Sequence, residues 1–163
     1  MSRLTREHQP IRMLIADAHE VFRRGLRQIL EDEDDVQVVA EAADGEEAVR
    51  LATTLGTAEL DLLLLDLALP KLNGIEATRR IRAREPGLRV IILAVSADDQ
   101  DLLQATASGA AGLLTKDLSA RAIVRSVHDY VVSGALPMSR VTAARVFSLL
   151  QERHAQTLAP ATT

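Results

Sequence analysis

Short apolar runs alternate along the chain with stretches in which apolar positions recur every three or four residues. The runs lie at residues 11–16, 36–40, 60–65, 88–95 and 111–114. Near-continuous apolar runs of this length are typical of strands buried on both faces of a parallel sheet. The stretches between and after them have the spacing of amphipathic helices. The pattern therefore predicts an α/β fold, (βα)5, in which a doubly wound five-stranded parallel sheet forms the middle of a three-layer sandwich.

Polar and glycine residues punctuate this pattern where helices should begin and end. Asp44 and Asn73 each precede a glutamate by three residues, which is the spacing of a capping box at a helix start. Gly109 and Gly134 follow helical stretches and suit a left-handed helix end. These signals support the helix boundaries that the apolar periodicity predicts.

The chain changes character after the fifth helical stretch. Pro137 interrupts it, and Ser139 is placed to cap one further helix. The last ten residues are rich in Ala, Thr and Pro, as flexible linkers are. We therefore expect a domain at residues 11–134, an appended helix at 135–153 and a flexible tail or interdomain linker at 154–163.

Three valines of the fifth helical stretch fall outside its main apolar stripe, namely Val124, Val131 and Val132. They predict extra apolar surface on that helix. Such surface either packs against the appended helix or forms a dimer face, and the sequence does not separate the two.

Composition excludes several classes of function. The net charge of the 163 residues is −4 and aromatic residues make up only 2%, so this segment is not expected to bind DNA by itself. The chain has no Cys, which excludes a disulfide framework and Cys-ligated zinc. The longest apolar run is too short to span a bilayer, and residues 1–10 lack the apolar stretch of a signal peptide. These features predict a soluble, cytoplasmic protein without a membrane segment.

Two acids and a lysine follow the ends of distant predicted strands. Asp17 follows the first run, Asp66 follows the third and Lys116 follows the fifth. The carboxyl ends of parallel strands share one edge of the sheet, so these side chains should converge there. A carboxylate held beside Mg²⁺ and an ammonium group can attack a phosphoryl group, because both cations offset the developing charge.

Several segments resemble the receivers of NarL/FixJ (LuxR-type) response regulators. The matching segments are Ile-Ala-Asp-Ala-His at 15–19, Val-Val-Ala-Glu-Ala-Ala-Asp-Gly-Glu-Glu-Ala at 38–48, Leu-Leu-Leu-Leu-Asp-Leu-Ala-Leu-Pro at 62–70, Asn-Gly-Ile-Glu-Ala at 73–77 and Gly-Ala-Ala-Gly-Leu-Leu-Thr-Lys-Asp at 109–117. The resemblance runs from about residue 11 to residue 150 without a large gap. It implies the flavodoxin-like receiver fold and a role in two-component phosphorelay signalling.

The resemblance also assigns roles to residues and implies partners. It makes Asp66 the phospho-acceptor, Asp17 and Asp66 metal ligands for Mg²⁺, and Lys116 the lysine that senses the phosphoryl group. The implied partners are a sensor histidine kinase and a second copy of the chain. DNA contact is expected only through a helix-turn-helix domain beyond Thr163, where the interdomain linker of such regulators runs.

The phosphorylation pocket departs from the family pattern at several positions. Ala18 replaces the second acid after the first strand, so we expect Mg²⁺ to bind weakly or not at all. Ala94 replaces a switch hydroxyl at the end of the fourth strand, and Ser96 compensates only if its loop shifts. Leu113 replaces the switch aromatic of the fifth strand. These switch positions are degenerate.

Two further interpretations stay open beside the phosphorelay receiver. A pseudo-receiver would keep the fold as a dimerisation or interaction module and respond to a ligand, a partner or abundance. An independent aspartyl-phosphate enzyme is not expected, because Ala68 and Pro70 stand where haloacid-dehalogenase-type enzymes have a general acid and a threonine. The acidic run at 31–35 is expected to be a solvated loop, and His19 a helix-start residue beside acids.

Overall fold

The computed structural model describes residues 9–158, and within them five parallel strands form one sheet. The strands are β1 (Ile11–Ala16), β2 (Val36–Ala42), β3 (Leu62–Asp66), β4 (Arg89–Ala94) and β5 (Gly112–Thr115). Their order in the sheet is β2-β1-β3-β4-β5, so β3 is central and β2 and β5 are the edges. The doubly wound (βα)5 sheet predicted from the apolar runs is confirmed.

Six helices complete the described part of the chain. They are α1 (Glu20–Glu31), α2 (Gly45–Glu59), α3 (Gly74–Arg84), α4 (Asp99–Ala107), α5 (Ala120–Ser133) and α6 (Arg140–Leu158). The first five connect or follow the strands, with α1 and α5 on one face of the sheet and α2, α3 and α4 on the other. None of the helices in residues 9–158 is long and apolar enough to cross a bilayer.

Alternating strand residues supply two cores, one on each face of the sheet. In β3, Leu63 and Leu65 pack against α2, α3 and α4, whereas Leu62 and Leu64 pack against α1 and α5. All five residues of β3 are buried, which is why its sequence reads as a continuous apolar run. At about 25 cal/mol per Å² of buried apolar surface, such fully buried side chains are the main stabilising contribution of a sheet like this one.

The predicted N-caps form, but the reciprocal half of each predicted capping box does not, since Glu47 accepts from the backbone N–H of Ala43 instead. The side chain of Asp44 accepts a hydrogen bond from the backbone N–H of Glu47, and Asn73 accepts one from that of Glu76. Gly134 adopts the left-handed conformation at the end of α5, with φ 75°. These contacts fix the points at which the helices leave the sheet.

Arg12 and Asp61 tie the start of β1 to the loop before β3. The Arg12 side chain donates two hydrogen bonds to the Asp61 carboxylate, both of 3.0 Å, and the Arg12 backbone N–H donates a third of 2.8 Å. Burial opposes ionisation of Asp61, but these hydrogen bonds and the Arg12 charge outweigh it. The net effect is that the pKa of Asp61 is lowered.

The appended helix differs from its predicted extent. It runs from Arg140 to Leu158, whereas residues 154–158 were expected to belong to a flexible tail. These five residues contain neither Pro nor Gly, and the first proline after them is Pro160. The helix therefore continues through them, and the rest of the predicted tail lies outside the described residues.

Helix α6 packs against α4, and the connection before it pairs with the edge strand β5. Its Leu149 is buried in the core of that face, and its Arg145 pairs with Asp99 at the start of α4. In the connection before α6, Met138 forms an isolated bridge with Leu113 of β5. An apolar cavity of about 270 Å³ remains between α4, β5 and α6.

The valines that predicted extra apolar surface on α5 mostly pack against the sheet. Val124 is buried in the core between α5 and the sheet, so its assignment outside the buried stripe was wrong. Val131 packs at the edge of that core, whereas Val132 is exposed. The stripe on α5 is wider than its apolar spacing indicated, and α6 packs on α4 instead.

Candidate functional site

Three strand ends place the predicted site residues together. Asp17 directly follows β1, Asp66 is the last residue of β3, and Lys116 directly follows β5. The strands β1 and β3 are neighbours whose following helices, α1 and α3, cover opposite faces of the sheet. This is the switch point at which open parallel sheets bind ligands beyond their carboxyl ends.

Lys116 lies between the two aspartates. Its Nζ atom is 2.6 Å from Asp17 Oδ2 and 3.3 Å from Asp66 Oδ2. Both carboxylates are buried, and only 11% of the Lys116 side chain is exposed. Buried carboxylates need a counter-charge, and here one ammonium group serves two of them.

Neighbouring side chains hold Asp17 and Lys116 in place. The Lys116 ammonium lies 4.5 Å from the centre of the Phe22 ring, a cation–π contact. The Arg23 guanidinium donates a 2.6 Å hydrogen bond to the backbone oxygen of Asp17 and a 3.0 Å bond to Glu41. No role in the pocket was predicted for Phe22 or Arg23 from the sequence, although both lie on the helix that follows Asp17.

A glycine allows α3 to start close to Asp66. A Cβ atom on Gly74 would lie 2.3 Å from the backbone oxygen of Asp66, so a larger residue would push the helix away. One Asp66 oxygen, Oδ1, accepts a 3.2 Å hydrogen bond from the backbone N–H of Ala68. The other, Oδ2, faces Lys116. Both oxygens of the candidate acceptor are thus oriented by contacts.

His19 completes a group of three possible metal ligands. It is the N-cap residue of α1, yet its side chain makes no capping hydrogen bond. Its Nδ1 atom lies 3.2 Å from Asp17 Oδ1, and ligand atoms of Asp17, His19 and Asp66 all lie within 4.8 Å of one another. His19 stands at the start of α1, as the sequence predicted. The sequence did not predict that its side chain faces Asp17.

The degenerate switch positions are divided between the strand ends and the apolar cavity beneath α6. Ala94 is buried at the end of β4 opposite Thr115, and it presents a methyl group where a hydroxyl was expected. Ser96 is exposed. Leu113 is buried and lines the apolar cavity beneath α6. Ala18 is exposed beside Asp17 and offers no ligand.

The acidic run at 31–35 does not join the site. It lies at the end of α1, and Asp35 pairs with His128 of α5 at 2.6 Å. The pair joins the loop between α1 and β2 to α5, beside the start of β2 and away from Asp66.

The donor set at the strand ends fits a divalent cation. Asp17 and Asp66 are carboxylates of the kind that hold Mg²⁺, which commonly takes one or two protein carboxylates and keeps its waters. Ala18 contributes nothing, so the carboxylate set is smaller than the family pattern. The site therefore suits a cation whose remaining ligands come from water or from His19.

Residues 13–128 match the response regulator receiver domain family. The chain belongs to this family. The match covers all of the five-stranded sheet except the first two residues of β1, and it includes Asp17, Asp66 and Lys116. It confirms the resemblance to receivers, and the roles of these three residues stay predictions. The receiver's family role is two-component signalling.

Named relatives narrow the family to the NarL/LuxR type. The receiver is 36% identical over 132 residues to the transcriptional regulatory protein DegU of Brevibacillus brevis, covering 81% of this chain and 55% of that protein. It is 31% identical over 157 residues to the nitrate/nitrite response regulator NarL of Escherichia coli K12, covering 93% and 71%. The chain thus spans about half the length of DegU and more than two thirds of NarL.

A solved structure supports the same placement. The receiver superposes with a TM-score of 0.75 and 33% identity on a LuxR-family two-component response regulator from Aurantimonas sp. SI85-9A1. The superposition covers 90% of this chain and 99% of that one. It therefore extends well beyond the residues of the family match.

Proposed function

We propose that Asp66 accepts a phosphoryl group from the phosphohistidine of a sensor histidine kinase. The observation that carries the proposal is the position of Asp66 at the end of the central strand, buried and 3.3 Å from the Lys116 ammonium. A buried carboxylate needs a counter-charge in any role, and here that charge lies at the switch point where parallel sheets bind ligands. The same ammonium can offset charge on a phosphoryl group transferred to Asp66.

The chemistry is a transfer between two covalent carriers. A carboxylate oxygen of Asp66 attacks phosphorus, the phosphorus–nitrogen bond of the phosphohistidine breaks, and an acyl phosphate forms on Asp66. Lys116 offsets charge on the transferring group, and Asp17 holds Lys116 in position through the 2.6 Å contact. A divalent cation bound by Asp17 and Asp66 would supply further charge stabilisation.

The output of this reaction is proposed to pass through the region of α4, β5 and α6. Lys116 directly follows β5, and β5 contacts both α4 and the connection to α6. A shift of Lys116 toward a phosphoryl group would therefore be felt where α6 is attached. The proposed consequences are a change in dimerisation and, in a cytoplasmic transcription regulator of this type, control of an attached helix-turn-helix domain.

Incubation with acetyl phosphate and Mg²⁺ tests the acceptor role. Intact mass spectrometry should show one phosphoryl addition in the parent chain and none in Asp66→Asn. A control variant, Asp44→Asn, keeps a capping side chain outside the pocket and should be phosphorylated like the parent. If Asp66→Asn is modified as well, or if neither high Mg²⁺ nor a transition-metal cation such as Co²⁺ supports any modification, the acceptor proposal is wrong.

The second candidate function is a phosphorylation-independent pseudo-receiver. It is favoured by Ala94 and Leu113, which are buried and carry neither the hydroxyl nor the aromatic ring of a switch. Amide NMR spectra with beryllofluoride distinguish the two functions. Shifts that spread from Asp66 to α4 and α6 support switching, whereas shifts confined to the pocket support the pseudo-receiver.

An independent enzyme is not proposed. Ala68, two residues after Asp66, has a methyl side chain and cannot act as a general acid. The named relatives are response regulators and transcriptional regulators. Turnover of a phosphate ester that requires Asp66 would contradict this conclusion.

A further inference from the structure

His19 contacts Asp17 through both its backbone and its side chain, and the proposed phosphotransfer uses neither contact. Its backbone N–H donates a 2.8 Å hydrogen bond to Asp17 Oδ1. It is the N-cap residue of α1 but makes no capping hydrogen bond with its side chain. The imidazole is 78% exposed, so burial does not hold it in place. It nevertheless lies with Nδ1 3.2 Å from Asp17 Oδ1, at the mouth of the pocket.

We propose that the His19 imidazole is a metal ligand that takes the place left by the carboxylate missing at Ala18, and that the pocket thereby prefers Zn²⁺ or Co²⁺ to Mg²⁺. The ligand set would be Asp17, Asp66 and His19. This inference deepens the proposed acceptor site and rests on it only for the location of the pocket. It concerns which metal binds, and not whether phosphate is transferred.

The distances suit such a set. A tetrahedral metal with ligands at about 2.0–2.1 Å holds its ligand atoms about 3.4 Å apart. The His19 Nδ1 to Asp17 Oδ1 distance is 3.2 Å, and all three ligand atoms lie within 4.8 Å of one another. On binding a metal the set would close from within 4.8 Å to about 3.4 Å, and burial does not hold the exposed imidazole of His19 against that movement.

Lys116 does not occupy the proposed position. Its ammonium contacts the Oδ2 atoms of Asp17 and Asp66, whereas His19 faces Oδ1 of Asp17. Asp17 therefore presents Oδ2 to the lysine and Oδ1 to the imidazole and the backbone N–H of His19. A metal bound on the imidazole side leaves the contact between Lys116 and Asp17 in place.

The choice of metal follows from the ligand types. Mg²⁺ is a hard cation that prefers oxygen ligands and binds imidazole poorly. Imidazole suits zinc and other first-row transition metals. The pocket has no carboxylate at position 18 and has a nitrogen ligand one residue later. Its affinity for Mg²⁺ is therefore expected to fall relative to its affinity for Zn²⁺ and Co²⁺.

Isothermal titration of the tag-free chain with Mg²⁺, Zn²⁺ and Co²⁺ tests the proposal. His19→Ala should weaken Zn²⁺ and Co²⁺ binding about tenfold or more, since even an outer-shell partner contributes 10- to 100-fold. It should leave Mg²⁺ affinity within about twofold. The matched control is His128→Ala, which removes a surface histidine that pairs with Asp35 and should change neither affinity. Thermal unfolding of each variant checks that it folds.

A second variant and a spectroscopic readout complete the experiment. Ala18→Asp should raise Mg²⁺ affinity, and Co²⁺ should give a visible absorption band in the parent that is weaker in His19→Ala. Equal loss of Mg²⁺ and Zn²⁺ affinity in His19→Ala would mean that His19 only positions Asp17, and the proposal would be overturned. Unchanged Zn²⁺ affinity would overturn it too. The mass-spectrometric test of Asp66 is repeated with Co²⁺ in place of Mg²⁺. Absence of phosphorylation with both metals contradicts the acceptor proposal, whereas the affinities of the His19 variants decide the metal preference, so the two proposals fail independently.

Discussion

Removing the charge of Lys116 is expected to destabilise the fold, because two buried carboxylates share this one ammonium group. Asp17 and Asp66 are 1% and 3% exposed, and Lys116 Nζ lies 2.6 Å and 3.3 Å from them. Methionine is close to lysine in length and keeps the apolar stem beside Phe22. Lys116→Met therefore removes the charge and little packing.

The size of the effect follows from the burial of the pair. Removing one partner of a fully buried ion pair costs about 3–5 kcal/mol, and an exposed pair contributes about 0–1 kcal/mol. Lys116 is 11% exposed and the pocket opens beside His19, so some solvent reaches the carboxylates. We expect a loss of about 2–3 kcal/mol. With an m-value of about 1.5 kcal/mol per M, the urea midpoint falls by about 1.3–2 M.

Urea unfolding at neutral pH measures this loss, and the chain supplies a matched control. Lys71 is the other lysine, and its contact with Asp44 is an exposed one of 3.5 Å. Lys71→Met should cost under about 1 kcal/mol. The double variant Lys116→Met with Asp66→Asn should recover much of the lost stability, because it leaves one buried carboxylate fewer. If Lys116→Met costs no more than Lys71→Met, or if the double variant recovers nothing, the charge argument is refuted.

Three further predictions concern α6, β5 and the start of the sheet. Gly112→Ala should cost about 1–3 kcal/mol in urea unfolding, because its Cβ would lie 2.3 Å from the backbone oxygen of Pro137; an unchanged midpoint would contradict this. Leu149→Ala should cost about 2–3 kcal/mol and raise hydrogen exchange in α6, whereas the same change at partly exposed Leu150 should cost less. The pKa of Asp61 is lowered, so its contribution is fully present above the unfolded value near 3.9 and is lost as pH falls through the folded value. The stability gap between the parent and Asp61→Asn should therefore be constant from about pH 7 to pH 5 and narrow below about pH 4, and a gap that widens there would be the wrong sign.

The position of the pocket could be predicted from the sequence because it depends on where strands end. Asp17, Asp66 and Lys116 each end or follow an apolar run, and parallel strands bring such ends to one edge of the sheet. The register of the sheet agrees with this, since Asp66 lies opposite Leu93, one residue before the end of β4. No side-chain geometry was needed for this step.

The contacts around the pocket could not be predicted in the same way. Whether His19 caps α1 or faces Asp17 depends on a side-chain rotation that spacing does not encode. The contact of Phe22 with Lys116 joins residues far apart in the chain. Sequence periodicity identifies which residues are buried, but it does not identify their partners.

The placement of α6 was also beyond the reach of the sequence. Its apolar residues predicted a helix, and they did not specify whether it would cover α4 or α5. The structure places Leu149 in the core beside α4, and Val124 of α5 turns out to be buried by the sheet. The extent of the helix was underestimated because composition changes gradually from His154 to Thr163.

The bridge between Met138 and Leu113 has a consequence for how the domain can be divided. It lies on the outer edge of β5, where a strand with unpaired N–H and C=O groups can recruit a strand from another molecule. A polypeptide cut after α5 would lose Met138 and α6. It would expose both that strand edge and the apolar surface that Leu149 covers. Such a fragment would contain every residue of the phosphorylation pocket and still tend to aggregate. The smallest fragment that resists aggregation is therefore expected to extend to Leu158, past the last strand and helix of the (βα)5 repeat.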